Sequence, residues 1–581
     1  MMQDYENHHI QELPLSAPFF RNKVVRFLGE NGLRLEAVDA YYVIQNTDGD
    51  ILAGAGLCAD LVKCVAVSAA ARQEGLLAPL MSHLIAEAAA KGHPCLKLFT
   101  KPEYRALFES LGFRLLASAP KAILMENGRG LEQYCAYLRS QALPGRSGVI
   151  VMNANPFTLG HQYLIYRALE QVDTLYIIPV REDLSRFSYA ERLAMIRAAS
   201  VRPTAEFSPA LATPTHADAA GIDPGSRVVV LEGSAYQISA ATFPTYFLKD
   251  LSEVAETQMR LDIDLFARWI APALGGPVRF VGSEPTDVLT ARYNALLHEC
   301  LPQVVEIPRL ESASHAISAS AVRAALDAGS LDAAAELCPE TTWPYLLADL
   351  AERALRMELE MPLKPGLVGP DSQGAHKDMD YALMRRGIAA IRPFYAKMAM
   401  ARDEEALRQL GIEAEKAMMA ATGGVNTHRG AIFCLGLAVY AWTQGAHNEE
   451  LMHSSLGKIA GGIYSKSQSV NNLPPRAAMA NALGGYQKLF EDWLPYYRQA
   501  CRQEGQLLLL RIMSTLEDTC VVKRVGPERA QQVKEEARAL FQDPNGAHLE
   551  EMCNRYAAEG ISPGGAADML ALTIFIDSIL S

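Results

Sequence analysis

The sequence predicts a multidomain protein in which two α/β domains are followed by an all-α domain. At 581 residues the chain is too long for one hydrophobic core. Short apolar runs alternate with amphipathic stretches up to about residue 340, which favours strands connected by helices. Beyond about residue 350 the strand-like runs disappear and Ala, Leu, Met, Glu and Arg become more frequent, which indicates helices alone. We therefore place the domains at 1–135, 145–340 and 350–581.

The composition excludes several classes of protein. Half of the residues are hydrophobic and the net charge is −12, so the chain is globular and lacks the basic balance of a nucleic-acid-binding protein. No apolar run is long enough to span a membrane, and the polar N-terminus is unlike a signal peptide. The ten cysteines are scattered singly, which is typical of reduced thiols. We expect a cytoplasmic protein with no nucleic-acid or membrane partner.

The first domain shows a strand–turn–helix–strand–helix order. The predicted elements are a strand at 62–67, a helix at 78–91, a strand at 96–100 and a helix at 104–111 that ends at Gly112. With Gly75 in the turn before the first helix, this order resembles the GNAT acetyltransferase fold. In that family this turn presents backbone N–H groups to the pyrophosphate of coenzyme A. Three interpretations stay open: a purely structural α/β domain, an active acetyltransferase, and a pantetheine-binding groove without catalysis.

The second domain opens on a strand that runs into a polar turn and a helix. The apolar run 149–152 predicts a buried parallel strand, and Pro156 ends it. The helix then begins near Gly160 and His161. Free N–H groups and the positive end of the helix dipole make such a turn an anion site, and Gly160 lets a ligand approach the backbone closely.

A second group of polar residues begins another helix late in the same domain. Ser318 is placed to cap this helix, and Ser320 and Arg323 lie on its first turns, a set that suits a triphosphate. The intervening apolar runs alternate with helical stretches and predict a doubly wound parallel sheet. These runs are at 174–180, 228–231, 278–281 and 304–307.

The two groups together resemble the nucleotidyltransferase superfamily with its HxGH and ISxxxxR signatures. Thr158 stands where the first histidine is usual, and since a hydroxyl cannot carry positive charge, His161 would stabilise more of the α-phosphate. The resemblance implies that His161 and Thr158 are catalytic. It implies ATP-binding roles for Asn153, Asn155, Phe157, Gly160, Ser318, Ser320 and Arg323.

Two further motifs narrow the resemblance. Ala-Thr-Phe-Pro-Thr-Tyr-Phe-Leu-Lys at 241–249 and Gly-Ser-Glu-Pro-Thr-Asp at 282–287, behind a GNAT-like domain, resemble the [citrate (pro-3S)-lyase] ligase family. This family acetylates the thiol of the prosthetic group on the acyl carrier subunit of citrate lyase, using ATP and acetate and releasing AMP and pyrophosphate. Arg186 and Lys249 are further possible phosphate contacts or solvated surface charges. For Glu284 and Asp287 two interpretations stay open: they bind Mg²⁺ or the ribose, or they cap a loop.

The third domain combines predicted helices with polar clusters that contain glycine, carboxylates and basic residues. The helices are predicted in the 380s to 400s and at 413–421, 431–442, 477–489, 506–516 and 566–580. The clusters lie at 364–368, 374–380, 422–430, 517–524 and 562–568. They resemble the triphosphoribosyl-dephospho-CoA synthase family, which joins ATP to dephospho-CoA and expels adenine. Cys520 in place of an expected Asn, and the stretch 464–476 without a Ser-His-Gly pattern, depart from that family.

This resemblance implies acidic groups for the reacting ribose and basic groups for the phosphates. Asp378, Asp380 and Asp518 are the expected catalytic carboxylates, and Mg²⁺ is expected on Asp378, Asp380 and Glu415, with a helix-surface acid as the alternative for Glu415. The expected ATP contacts are Lys364, His376, Lys377, Asn426, His428 and Arg429.

The whole chain thus predicts a bifunctional enzyme that serves citrate lyase at two steps. One part would make the precursor of the prosthetic group and the other would acetylate its thiol. Two alternatives stay open: the same chemistry in the service of malonate decarboxylase, and a non-catalytic protein that assembles or regulates citrate lyase.

Overall fold

The computed structural model describes residues 9–181, 185–200, 227–237, 251–283, 287–310, 317–471, 477–500, 502 and 504–580. The chain forms two compact units. The first contains residues 1–156 and 160–316, and the second contains residues 157–159 and 317–581. The predicted order, two α/β regions followed by a helical region, is confirmed.

A seven-stranded sheet begins the first unit, with strand order β1-β2-β3-β4-β5-β7-β6. Neighbouring strands are antiparallel except β4 and β5, which pair in parallel only at Leu61–Lys97 and Val62–Leu98. The strands are β1 (Ile10–Glu12), β2 (Ala40–Gln45), β3 (Ile51–Cys58), β4 (Leu61–Val67), β5 (Leu96–Thr100), β6 (Phe113–Ser118) and β7 (Ile123–Asn127). The helices are α1 (Pro18–Glu30), α2 (Leu77–Ala90), α3 (Arg105–Ser110) and α4 (Gly130–Gln141).

A five-stranded parallel sheet follows, with strand order β10-β9-β8-β11-β12. The chain moves outward from β8 to β10 and then returns to the other side of β8, so the order of the strands reverses between β8 and β11. The strands are β8 (Ser147–Met152), β9 (Thr174–Pro179), β10 (Val228–Val230), β11 (Val278–Gly282) and β12 (Val304–Ile307). The predicted parallel sheet is therefore confirmed.

Helices of this region connect the strands and also join the two sheets. They are α5 (Leu159–Leu169), α6 (Tyr189–Ser200), α7 (Leu251–Leu265), α8 (Ala271–Ala273) and α9 (Val288–Cys300), with a π-helical turn at Phe266–Ile270. One buried hydrophobic cluster includes Leu116 of the first sheet, Val149 of the second, Leu138 of α4 and Leu265 of α7. The first two predicted domains therefore share a core within one unit.

The second unit is helical. Its helices are α10 (Ala319–Ala328), α11 (Leu331–Ala335), α12 (Trp343–Glu360), α13 (Tyr381–Ala399), α14 (Glu404–Ala421), α15 (Arg429–Thr443), α16 (Glu449–Asn471), α17 (Ala477–Leu483), α18 (Leu494–Gln499), α19 (Gly505–Thr515), α20 (Thr519–Gln542), α21 (Gly546–Glu559) and α22 (Gly564–Ile579). Helix α22 is buried along most of its length and packs against α12, α15 and α19. No helix in the described ranges has the length and apolar character to cross a membrane.

The structure corrects one predicted helix of this unit. The pattern at 477–489 predicts a single helix, but α17 ends at Leu483 and Gly484 and Gly485 follow. Gly485 has a φ of +62°, and a Cβ there would lie 2.4 Å from the carbonyl oxygen of His453. The hydrophobic spacing continues through this break, so apolar periodicity alone does not reveal it.

Candidate active sites

The first candidate site lies at the carboxyl ends of the parallel strands. Asn153 and Asn155 follow β8, Ser283 follows β11, and Arg309 follows β12. In open parallel sheets, ligands bind at this edge, next to the point where the strand order reverses. The first predicted motif therefore lies where a sheet of this topology places a ligand.

A buried arginine that belongs to no predicted motif holds the loop after β8. Arg192, on α6, is fully buried. Its Nη1 donates to the carbonyl and the Oδ1 of Asn153, at 2.9 and 2.6 Å, and to the carbonyl of Val180 at 2.9 Å, while its Nε donates to the carbonyl of Phe187 at 3.0 Å. The Oδ1 of Asn155 accepts from the backbone N–H of Phe187 at 3.1 Å. One guanidinium thus fixes the ends of β8 and β9 relative to each other.

His161 lies on the first turns of α5 and is half-buried. Burial, followed by the charge of Arg309, lowers the pKa of His161 to about 4. At neutral pH the imidazole is therefore uncharged and can offer a hydrogen bond, while the positive charge beside it belongs to Arg309. The expectation that His161 stabilises an α-phosphate stays a prediction, and a neutral imidazole would do so as a hydrogen-bond donor. Arg309 was missed because its position after an unremarkable strand gave no signal.

Phe157, Thr158 and Leu159, in the middle of the motif 153–161, belong to the second unit. Phe157 is fully buried and Thr158 is 1% exposed. The backbone N–H of Leu159 donates to the carbonyl of Leu337 at 3.0 Å, and the Thr342 hydroxyl donates to the carbonyl of Phe157 at 3.1 Å. Phe157 and Thr158 therefore do not present surface to a ligand in this conformation. Gly160, next along, is partly exposed.

The predicted capping role of Ser318 is confirmed. Its Oγ accepts from the backbone N–H of Ala321 at 3.0 Å at the start of α10. One turn further, Arg323 Nη2 donates to the Ser320 hydroxyl at 3.0 Å. Both residues of this pair lie on the same short helix of the second unit, where Ser320 is exposed.

The other candidate residues of this region have simpler places. Asp287 caps α9, since its Oδ1 accepts from the backbone N–H groups of Leu289 and Thr290 at 2.9 and 3.2 Å. The capping alternative is therefore the observed one for Asp287. Arg186 lies in the short segment before α6, and Lys249 and Glu284 lie outside the described residues.

The second candidate site is a cavity of about 430 Å³ in the helical unit. Such a volume is typical of a small-molecule site. Its wall includes five of the residues predicted from sequence: His376, Asp378, Asn426, His428 and Arg429. It also includes Glu358, Lys523, Arg524, Ser562 and Asp568, to which no role had been assigned.

His376 lies in the wall between a hydroxyl and a guanidinium. Its Nε2 is hydrogen-bonded to the Oγ of Ser562 at 2.8 Å, and its Nδ1 lies 3.4 Å from Arg524 Nη2 and 3.9 Å from Asp378. Burial, followed by the charge of Arg524, lowers the pKa of His376. The predicted phosphate contact is thus a neutral imidazole, and Arg524 beside it supplies the positive charge.

Lys364 is buried and does not line the cavity. Its Nζ donates to the carboxylate of Glu358 at 2.5 Å and to the carbonyl of the same residue at 2.6 Å. This ammonium is committed to an internal pair, so the expectation of a direct phosphate contact is not met in this conformation. Instead, Lys364 compensates the charge that Glu358 brings to the cavity wall.

The remaining predicted carboxylates also have structural partners. Asp518 caps α20 and accepts from the N–H of Cys520 at 2.8 Å and from that of Ala566 at 3.0 Å. Asp380 caps α13 through the N–H of Leu383 at 2.7 Å. Glu415 forms an ion pair with Arg429.

The expected metal ligands do not converge. Within the described ranges, no group of three or more His, Cys, Asp or Glu residues is placed to hold a metal ion. Of Asp378, Asp380 and Glu415, Asp378 lines the cavity, and its carboxylate is mostly exposed and caps no helix. Lys377, an expected ATP contact, is exposed and does not line the cavity. Mg²⁺ usually takes one or two protein carboxylates together with substrate phosphates, and a single such carboxylate fits that chemistry.

Comparisons with known proteins divide the chain into two parts. A family model described as the citrate lyase ligase C-terminal domain matches residues 147–203 and 217–346, and one described as ATP:dephospho-CoA triphosphoribosyl transferase matches residues 344–469 and 474–581.

Curated relatives show the same division. The [citrate [pro-3S]-lyase] ligases of Haemophilus influenzae and Escherichia coli are 39% and 38% identical to this chain. The alignments span 55% and 56% of this chain and 93% and 89% of the two relatives. A protein of Stutzerimonas stutzeri named as a probable 2-(5''-triphosphoribosyl)-3'-dephosphocoenzyme-A synthase is 36% identical over 40% of this chain and 91% of its own length.

Proposed function

The chain belongs to the citrate lyase ligase family in its first part and to the triphosphoribosyl-dephospho-CoA synthase family in its second, and from this premise we propose one enzyme with two activities. The observation that carries the proposal is that each part covers about nine-tenths of a separately named enzyme. The ligase part acetylates the prosthetic-group thiol on the citrate lyase acyl carrier subunit. The synthase part makes the triphosphoribosyl precursor of that group.

In the ligase reaction, an oxygen of acetate attacks the α-phosphorus of ATP, the bond to the bridging oxygen of the β-phosphate breaks and pyrophosphate leaves, and negative charge grows on the equatorial oxygens in the transition state. We assign the stabilisation of this charge to the neutral imidazole of His161, to the N–H groups at the start of α5 and to the cation of Arg309. Acetyl adenylate then reacts with the thiol and AMP leaves. On the sequence motifs alone, we also propose that the domain is a nucleotidyltransferase of the HxGH type. In this proposal the pyrophosphate contacts Ser318, Ser320 and Arg323.

In the synthase reaction, the 2′-hydroxyl of dephospho-CoA replaces adenine on the ribose of ATP. The cavity offers cations for phosphates in Arg429, Lys523 and Arg524, and polar groups for the ribose in His376 and Ser562. Mg²⁺, when bound with the phosphates, would neutralise part of their charge, and Asp378 is the carboxylate that fits it.

The experiment that tests both activities follows two products. Incubation with ATP, acetate and deacetylated citrate lyase should release AMP and add one acetyl mass to the carrier subunit, and ATP with dephospho-CoA should release adenine. Acetylation of the malonate decarboxylase carrier in place of the citrate lyase carrier would move the proposal to the other client. Absence of both AMP and adenine would leave the non-catalytic alternative.

We assign the docking of the prosthetic arm to the GNAT-like first sheet. Gly75, with a φ of +68°, forms the turn before α2, and a Cβ there would meet open space. A Gly75→Asp change puts a negative charge at this turn and should raise the KM for deacetylated lyase severalfold. Gly92→Asp, at the far end of the same helix and equally open, should leave the KM unchanged. An equal KM for both variants would remove this assignment.

A further inference from the structure

Glu358, His428 and Asp568 are among the polar side chains that line the cavity in the helical unit. Glu358 and His428 are 5% and 4% exposed, and Asp568 lies on α22. His428 Nδ1 shares a hydrogen bond of 2.9 Å with the Thr427 hydroxyl. Its Nε2 is buried and has no hydrogen-bond partner among the described residues. Since a buried polar atom without a partner is costly, this nitrogen points to a ligand that completes it.

Asp568 is built into the cavity wall by close packing. The backbone N–H of Ala431 donates to its carboxyl group. A Cβ on Gly430 would lie 1.8 Å from its Oδ2, so only glycine permits this approach. Within the described part of the chain, Asp568 takes part in no ion pair.

Two other carboxylates lie near Asp568, and each accepts hydrogen bonds from other residues. Glu358 is paired with Lys364, and Asp518 accepts backbone N–H groups at the starts of α20 and α22. Burial, followed by the charges of Asp518 and Glu358, raises the pKa of the Asp568 carboxyl well above its ordinary value. Glu358 with its cation and Asp568 without one are in unequal environments, and such carboxyl groups divide the roles of proton donor and charged stabiliser between them.

We propose that His428 and Asp568 form the adenine subsite of this cavity and that Asp568 is the acid that protonates the departing base. The inference rests on the proposed synthase function. The cations of the cavity wall support this assignment. Arg429, Lys523 and Arg524 suit phosphates and not a neutral base, which leaves His428 and Asp568 for the adenine.

In the proposed step, dephospho-CoA replaces adenine at C1′ of the ribose. The bond between C1′ of the ribose and N9 of adenine breaks, and its electron pair goes to adenine. A ring nitrogen, N3 or N7, takes the proton of Asp568. The 2′-hydroxyl oxygen of dephospho-CoA forms the new bond to C1′ and releases its proton to solvent, from which Asp568 is protonated again.

The test combines Asp568→Asn with two ATP analogues, 7-deaza-ATP and 3-deaza-ATP, each of which lacks one ring nitrogen. With ATP, D568N should lower the kcat for adenine release by about 10²-fold or more and leave the KM within about threefold. In the unsubstituted chain, one analogue should lower the kcat strongly. In D568N the penalty from that analogue should be at least about tenfold smaller, because the proton donor is already absent.

A matched control is Asp577→Asn, which removes a buried carboxylate of the same helix, one paired with Arg498 at 2.7 Å. D577N should lower the Tm but leave the kcat of the folded enzyme unchanged. This control separates the general effect of losing an acidic side chain from a specific effect on adenine release. A D568N kcat within threefold of the unsubstituted chain, or equal analogue penalties in both proteins, would overturn the inference alone. Absence of adenine release from the unsubstituted chain would overturn the synthase function itself.

Discussion

The two candidate sites use their charged groups in opposite ways. At the edge of the parallel sheet, a buried cation, Arg192, satisfies backbone carbonyls and a second cation, Arg309, lies beside the neutral His161. In the helical unit, the carboxyl groups of Glu358 and Asp568 line the cavity together with the cations of Arg429, Lys523 and Arg524. The sheet edge thus suits a reaction in which negative charge develops, and the cavity suits one in which positive charge develops on a sugar while a base leaves.

The strongest test of this comparison removes the buried cation of the first site. Arg192→Met keeps much of the volume but leaves the carbonyls of Asn153, Val180 and Phe187 without their donor. We expect a loss of about 3 kcal/mol or more in unfolding free energy and loss of AMP release. Thermal unfolding and the ligase assay measure the two effects.

Arg197→Met is the control for that change. Arg197 lies on the same helix but forms a half-exposed ion pair with Glu232 at 2.6 Å. Its loss should cost less than about 1 kcal/mol. Equal costs for the two variants would show that the buried contacts of Arg192 do not hold the loop.

The next test separates the two sites. His161→Ala should lower AMP release by about 10²-fold or more, because a hydrogen-bond donor to the developing charge is lost, and should spare adenine release. His376→Ala should do the reverse. Both rates are measured on the same preparations. Loss of both activities from either single change would contradict two independent sites.

A third test uses pH. Burial, followed by the charge of Lys364, lowers the pKa of His428 to about 3, whereas in the unfolded chain it is about 6.5. Below about pH 6.5, His428 therefore binds a proton in the unfolded chain but stays neutral in the folded chain. The free energy of unfolding falls as the pH decreases from about 6.5 towards 3, by up to about 4 kcal/mol. Tm measured against pH should show this fall, and His428→Gln should make it shallower. An unchanged slope would place the acid sensitivity elsewhere.

The smallest expected effect concerns Glu415. Its ion pair with Arg429 is partly solvent-exposed, so Glu415→Gln should cost less than about 1 kcal/mol and change adenine release by less than threefold. Titration of that activity with Mg²⁺ distinguishes this from the metal-ligand role. A large shift in the Mg²⁺ requirement would restore Glu415 as a ligand.

Local patterns predicted the fold well. The strands at 96–100 and 304–307 have the predicted bounds because short apolar runs beside turn residues have few other solutions. The cap at Ser318 depends only on the three residues that follow it, so it was also predictable. The break at Gly484 and Gly485 was not, because it depends on the packing of His453 from another helix.

The sites were predicted less completely, for the same reason. Arg192 lies 39 residues from Asn153, and nothing near either residue in the sequence indicates their contact. Asp568 acquires its environment from Gly430 and Glu358, which lie on other segments of the chain. Sequence motifs identified several residues that line the candidate sites, whereas the groups that set their protonation come from tertiary packing.

The position of Phe157 and Leu159 has a practical consequence for anyone who separates the two activities. A gene divided at codon 316, where the compact units divide, would leave the ligase half without the backbone partners that Leu337 and Thr342 supply. It would also remove the segment 317–346, which the ligase family model includes. A division just before α12 keeps Leu337, Thr342 and all but the last four residues of that segment, so residue 343 is a better place than residue 316 to separate the two activities.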